Sequence, residues 1–199
     1  LLLILIAIGS VCLLANENRY LGFAHDQNKT IFHQNFREHL IATYQLKDMS
    51  TAERFYRWIA GVKMVQDKPL MGFGPGTFYE SYKPYTVPAF KTWVSNNPEH
   101  STVHNYFLLM AIEQGIPGLL IFLVICGMAF YYAEKGFHNN KEPFWRNAAI
   151  VAGSIFAMLL TVNFLSDLVE TDKIGSVFYL TLSMLICANS RQLEKISEN

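Results

Sequence analysis

The sequence predicts an all-α integral membrane protein in which one large polar loop, itself made of short helices, sits between about four membrane-spanning helices. Two observations predict it. The first is composition: of 199 residues, 51% are hydrophobic and only 16% charged, against about a quarter charged in ordinary soluble domains. The second is segregation. Ten of the sixteen Lys and Arg lie between Arg19 and Lys91, whereas residues 1–15, 116–132, 148–165 and 175–188 contain no Lys, Arg, Asp or Glu. A helix needs about 20 apolar residues to cross a bilayer core, with roughly 17 to 25 tolerated.

The four apolar runs place spans at 1–15, 116–132, 148–165 and 174–189. The first is short, with neither an initiator Met nor a basic stretch before it, so it reads as a truncated span and not as a signal peptide. The chain is therefore expected to be the C-terminal part of something longer. Residues 133–147 carry Lys135, Lys141 and Arg146, and the tail 190–199 carries Arg191 and Lys195; both read as cytoplasmic by the positive-inside rule. The acidic connection 166–173, with Asp167, Glu170 and Asp172 against one Lys, reads as outer. This topology puts the long loop 16–115 on the outer face, the periplasm in a bacterium.

Zero formal net charge gives no global field for nucleic acid or an anionic surface. Cys12, Cys126 and Cys187 all fall in apolar runs, which excludes a disulfide framework and a thiolate metal site.

Within the loop, 31–46 suggests a short amphipathic helix. Ser50-Thr51-Ala52-Glu53 has the form of a capping box and predicts a helix from Thr51. Phe55, Trp58, Ile59, Val62 and Val65 recur at helical spacing, and Pro69 ends the run after Asp67 and Lys68. Arg54 and Arg57 lie three apart near the positive end of this helix's dipole, a poor place for two cations. They read either as solvated arginines, one paired with Glu53, or as an anion site.

Gly72, Gly74 and Gly76 then alternate around Pro75; this is a tight turn, either a rigid connector or a close approach of backbone to something else. It lacks the Gly-Lys-Ser/Thr of a phosphate loop. The aromatic stretch 78–93, with Tyr79, Tyr82, Tyr85, Phe90 and Trp93, suits a membrane interface or stacking on sugar rings alike. His100 and His104, four apart, invite a zinc reading on one helix face, but Ser101 stands where a metalloprotease needs Glu. Residues 102–114 predict a separate helix near the membrane surface with His104 at its start, broken by Gly115-Ile116-Pro117-Gly118.

Four motifs now stand in order: Arg54-x-x-x-Trp58; Lys68-Pro69-Leu70-Met71-Gly72-Phe73-Gly74-Pro75-Gly76-Thr77-Phe78; His104-Asn105-Tyr106-x-Leu108; and Glu113-x-Gly115-Ile116-x-Gly118-Leu119-Leu120. None is specific alone, but in this order they resemble the O-antigen ligase and O-antigen polymerase superfamily, between Glu53 and Phe122. The resemblance implies a fragment of a many-helix, GT-C-like inner-membrane glycosyltransferase. Its donor would be a glycan on undecaprenyl diphosphate and its acceptor a lipid-linked or glycan hydroxyl, with no cofactor and no metal ion. It implies that Arg54, supported by Arg57, holds the donor diphosphate and that His104 activates the acceptor hydroxyl. His100, Asn105, Gly72, Gly74 and Gly76 are possible supports. The chemistry fits: Arg binds phosphate through parallel donors, and an imidazole, which as a residue type titrates near 6.5, suits a general base. The family's further arginines find no counterpart here, so the fragment alone is expected to be inactive. Ligation, polymerisation and protein glycosylation share these motifs, and a non-catalytic transporter or assembly scaffold is the reading from another class.

Overall fold

The computed structural model describes residues 49–90, 95–97 and 99–197, of which the side chains of 49–51, 90 and 191–197 are left aside. The span expected at 1–15, the helix at 31–46 and Trp93 lie outside these residues. The described residues contain helices and no strand: α1 (Met49–Asp67), the single turn α2 (Phe78–Ser81), two 3-10 turns (Lys83–Tyr85 and Pro88–Phe90), α3 (Tyr106–Asn139), α4 (Pro143–Asn163), a 3-10 turn (Leu168–Glu170) and α5 (Asp172–Ser197).

Helix α1 ends at Asp67, where Pro69 predicts, but begins at Met49, two residues before the expected start. Glu53 accepts a hydrogen bond from Ser95 Oγ at 2.9 Å and lies 3.9 Å from Arg57; the Ser50 half of the expected capping box lies outside the described side chains. The buried face also differs from the predicted stripe. Ala52, Tyr56, Ile59, Ala60 and Met64 are buried, while Phe55, Trp58, Val62 and Val65 are only partly so. Alanines carry little weight in a hydropathy pattern, yet their size is what lets another helix come close. At Gly61, next to Ala60, an added Cβ would stand 2.8 Å from Ile112 Cδ1 of α3.

Helix α3 is two arms joined at Gly115, whose φ of 74° and ψ of 178° are not helical. The break is confined to that residue. Pro117 falls in the first turn of the second arm, where its missing N–H costs nothing. The first arm begins at Tyr106, after Asn105, whose side chain caps it by accepting from the Leu108 amide at 3.0 Å. It packs Leu109 and Ile112 into one core with Met64, Phe78, Tyr82 and Val103.

The second arm, α4 and α5 form a three-helix layer around Phe122, Phe156 and Phe178, one from each helix, with ring centroids 6.2 Å (Phe122–Phe178) and 5.2 Å (Phe156–Phe178) apart. Gly153 faces Ala133 and Gly136 faces Ala149 across the α3–α4 contact, the small-residue packing of membrane helices. Tyr106–Asn139 and Pro143–Asn163 are long and apolar enough to cross a bilayer, and only a third of each apolar window is buried. Ile121, Val124, Met158 and Val162 point outward, as expected of helices solvated by lipid and not of a soluble core. The protein is a helical membrane protein. Helix α5 has the length, but its apolar run is interrupted by Ser176, Thr181 and Ser183, whose hydroxyls hydrogen-bond to carbonyls of their own helix.

Candidate active site

Two of the motifs far apart in sequence are one structural unit. The glycine-rich turn lies along the α3 kink: Phe73 and Gly74 amides donate to the carbonyls of Ile112 and Glu113 at 2.9 Å each, and the Ile116 amide donates to Pro69 at 2.7 Å. The buried Glu113 carboxylate closes the clasp, accepting from the Gly76 amide at 2.9 Å and the Phe78 amide at 3.3 Å. Gly72, Gly74 and Gly76 all have positive φ. What their backbone approaches is this chain's own α3.

A second cluster gathers on the turn that leaves α4. Arg54 Nη1 donates to the Leu165 carbonyl at 3.1 Å, and the Tyr106 amide donates to the Ser166 carbonyl at 2.9 Å. Asp167 receives the Thr102 hydroxyl and lies 3.6 Å from His104 Nδ1. Three consecutive residues thus collect groups from α1, from the segment before α3 and from α3 itself. The turn is rigid because buried Asn163 donates to Leu159 O at 2.8 Å and accepts from the Val169 amide at 3.0 Å.

Helix α1 staples the other side. Arg57 Nη1 donates to the Thr102 carbonyl at 3.2 Å and Trp58 Nε1 to the Val103 carbonyl at 2.9 Å. These are the two residues immediately before His104, which is left at φ 52° with its side chain 28% exposed. Such a φ is uncommon outside glycine and is sustained only where the surroundings hold it. At 3.6 Å the His104–Asp167 contact is longer than a hydrogen bond. Nδ1 is the ring nitrogen turned to the carboxylate.

The other expected site residues are placed as follows. Arg54 is partly exposed and sits at the turn beside His104's partner. Arg57 is buried, bonded to Thr102 and paired with Glu53, and forms one wall of a cleft of about 390 Å3 with Lys83, Tyr82 and Tyr56. Asn105 is the cap of α3. His100 does not share a helix face with His104; it lies in the turn before α3, at φ 53° with its amide donating to the Asn97 carbonyl, and is exposed, its ring stacked on Tyr79 at 3.8 Å. The aromatic stretch builds core where it is described: Phe78 and Tyr82 are buried and stacked at 4.9 Å, and the Tyr85 hydroxyl donates to Asp67 at 2.5 Å.

Electrostatics single out the turn again. Burial alone would raise Asp167, but the facing His104 imidazole and the hydrogen bond from the Thr102 hydroxyl outweigh it and hold its carboxyl below the usual range. Three residues on, desolvation, followed by the charges of Glu113 and Asp167, pushes Glu170 up to about 7. A raised acid pKa means that the folded state keeps a proton the unfolded chain has lost, so stability falls as pH rises from about 4.3 toward 7. Glu170→Gln is expected to flatten that part of the profile, melting higher than the parent protein at pH 8 and no differently below pH 4. Thermal unfolding in detergent across this range reads it, and the gain is small because the residue is exposed.

Sequence reasoning missed Asp167, reading it only as one of three acids in an outer connection. It stands 63 residues from His104, and no spacing joins them. A family model described as O-antigen ligase matches residues 1–123, covering Arg54, both glycine motifs and His104 and ending before Asp167. No curated protein and no solved structure matches the chain.

Proposed function

The chain belongs to the O-antigen ligase family, and from that premise we propose that it moves a glycan from an undecaprenyl-diphosphate donor to an acceptor hydroxyl. One observation carries the proposal: the turn 165–167 receives both the Arg54 guanidinium and, through Asp167, the His104 imidazole. In the reaction, the acceptor hydroxyl passes its proton to His104 Nε2 as its oxygen bonds to the anomeric carbon. The bond from that carbon to the diphosphate breaks, and undecaprenyl diphosphate departs with the electron pair. Arg54 uses one of its guanidinium donors on Leu165 and offers others to the charge growing on the diphosphate, a role suited to fixed cations in a partly dry site. Asp167 positions His104 and stabilises the imidazolium. Arg57 supports the site by holding Thr102, and Asn105 by capping α3.

The same proposal sets the topology. The protein lies in the bacterial inner membrane with residues 16–115 on the periplasmic face, α3 and α4 crossing the bilayer, and α5 and residues 1–15 as further spans. The partners are the lipid-linked donor, a lipid-linked or glycan acceptor and the surrounding lipids, with neither nucleic acid nor a cofactor taking part.

The test is glycan transfer in cells carrying the full-length parent with Arg54→Ala or Arg54→Lys, with membrane levels checked. Arg54→Ala is expected to lower transfer about 100- to 1,000-fold and to leave donor accumulated. Arg54→Lys should recover only part, because an ammonium lacks the planar fork. The size of the product and the molecule that bears it separate ligation from polymerisation. Normal transfer by Arg54→Ala at normal protein level would return the chain to the scaffold or transporter reading.

A further inference from the structure

The clasp leaves one feature that neither catalysis nor core packing uses. Leu70 and Met71, at the tip of the glycine-rich turn, are 70% and 87% exposed, while the next residue, Gly72, is buried against Glu113 and Gly115. Single exposed apolar residues are ordinary, so exposure alone says little. Position says more. The Leu70 carbonyl packs directly on Gly115, and the Pro69 carbonyl accepts the Ile116 amide, so the tip is tied to the first residue of the second arm of α3. Ile116, Leu120, Ile121 and Val124 are themselves exposed and belong to a helix apolar enough to cross a membrane. The tip therefore continues the outward apolar surface of the span. On its other side, Lys68 lies with its ammonium 4.5 Å from the centroid of the Phe73 ring, the cation-beside-aromatic arrangement found where a chain leaves the bilayer.

We propose that Leu70 and Met71 form a lipid contact: the tip is seated among the acyl chains beside the start of the second arm, at the depth of Ile116. Because the turn is held by the clasp, the tip enters the bilayer without being ordered on contact, and it fixes α1, with Arg54 sixteen residues before Leu70 in sequence, at a set height over the membrane. The inference rests on the membrane location of α3 and not on the glycosyl-transfer reading.

The experiment uses the full-length parent in phosphatidylcholine and phosphatidylglycerol vesicles, with Cys12, Cys126 and Cys187 replaced by alanine and a nitroxide placed by Met71→Cys. Ile121→Cys, on the lipid-facing side of α3, and Lys83→Cys, in the loop, serve as references. Relaxation by oxygen, which concentrates in acyl chains, is compared with relaxation by a water-soluble nickel chelate. The expected result is an oxygen-to-nickel ratio at Met71 close to that at Ile121 and several-fold above that at Lys83. A ratio like that of Lys83 overturns the proposal, as does a label that neither reagent reaches, which would mean that protein covers the tip. The Ile121 reference shows that the protein inserts under the same conditions, and glycan transfer enters none of these readings.

Discussion

Replacing His104 by alanine is expected to lower glycan transfer by roughly 100- to 10,000-fold, the usual span for loss of a general base, with the protein still present in the membrane. Stability should be spared because the side chain is partly exposed and its ring is not part of a hydrophobic core. The backbone is the complication, since φ is 52° at this position and alanine inherits a left-handed conformation it does not favour. His104→Gly removes the same imidazole and accepts that φ freely. The two variants should therefore lose transfer alike, and added imidazole should restore part of it in His104→Gly. Asp167→Asn separates positioning from catalysis: it keeps the Thr102 contact sterically but removes the charge facing Nδ1. Transfer should fall less than in His104→Ala, because the imidazole stays in place and loses only the carboxylate that orients it. A His104→Gly protein that inserts normally and transfers at the parent rate would end the general-base reading.

What the sequence reveals of this site divides along a physical line. Groups whose placement is local are legible: the end of α1 at Asp67 follows from Pro69, and the break at Gly115 from the glycine itself. The first arm of α3 starts at Tyr106 and not at residue 102, because Asn105 supplies the cap. Trp58 falls in the apolar stripe of α1, yet its ring nitrogen holds Val103, and Arg57 beside it holds Thr102. Composition cannot distinguish an amphipathic side chain in a core from one that staples a loop. Asp167 is further out of reach. It faces His104 only because α4 returns beside α3, and that return is set by small-residue contacts such as Gly153 on Ala133, which carry no chemical signature in a single sequence.

The largest effect on stability is expected at the clasp. At Gly72, φ is +63° and an added Cβ would stand 2.5 Å from the Glu113 carbonyl carbon and 2.7 Å from the Gly115 nitrogen. At Gly115, φ is +74° and the Cβ would meet the Leu70 carbonyl carbon at 2.6 Å. Both obstacles are backbone, and both are held by the hydrogen bonds from Phe73, Gly74 and Ile116, so neither can yield without opening the clasp. Left-handed φ on an L-residue costs about 1–2 kcal/mol, and overpacking against a fixed neighbour typically adds about 1–3 kcal/mol. Gly72→Ala and Gly115→Ala should each lose about 2–5 kcal/mol by this sum, enough to deplete the protein from membranes. Gly76→Ala isolates the first effect, since φ is +71° there but nothing lies within 4 Å of the added carbon; it should cost only the conformational part. Thermal unfolding in detergent and membrane abundance should rank Gly72→Ala and Gly115→Ala well below Gly76→Ala. If all three melt together, the close approach is not what the glycines serve, and a ligand taken up by the turn becomes the better account of why three of them alternate there. If they separate as expected, the turn and the kink answer to each other, and the glycines keep α1, with Arg54, Arg57 and Trp58, seated against the helix that His104 precedes.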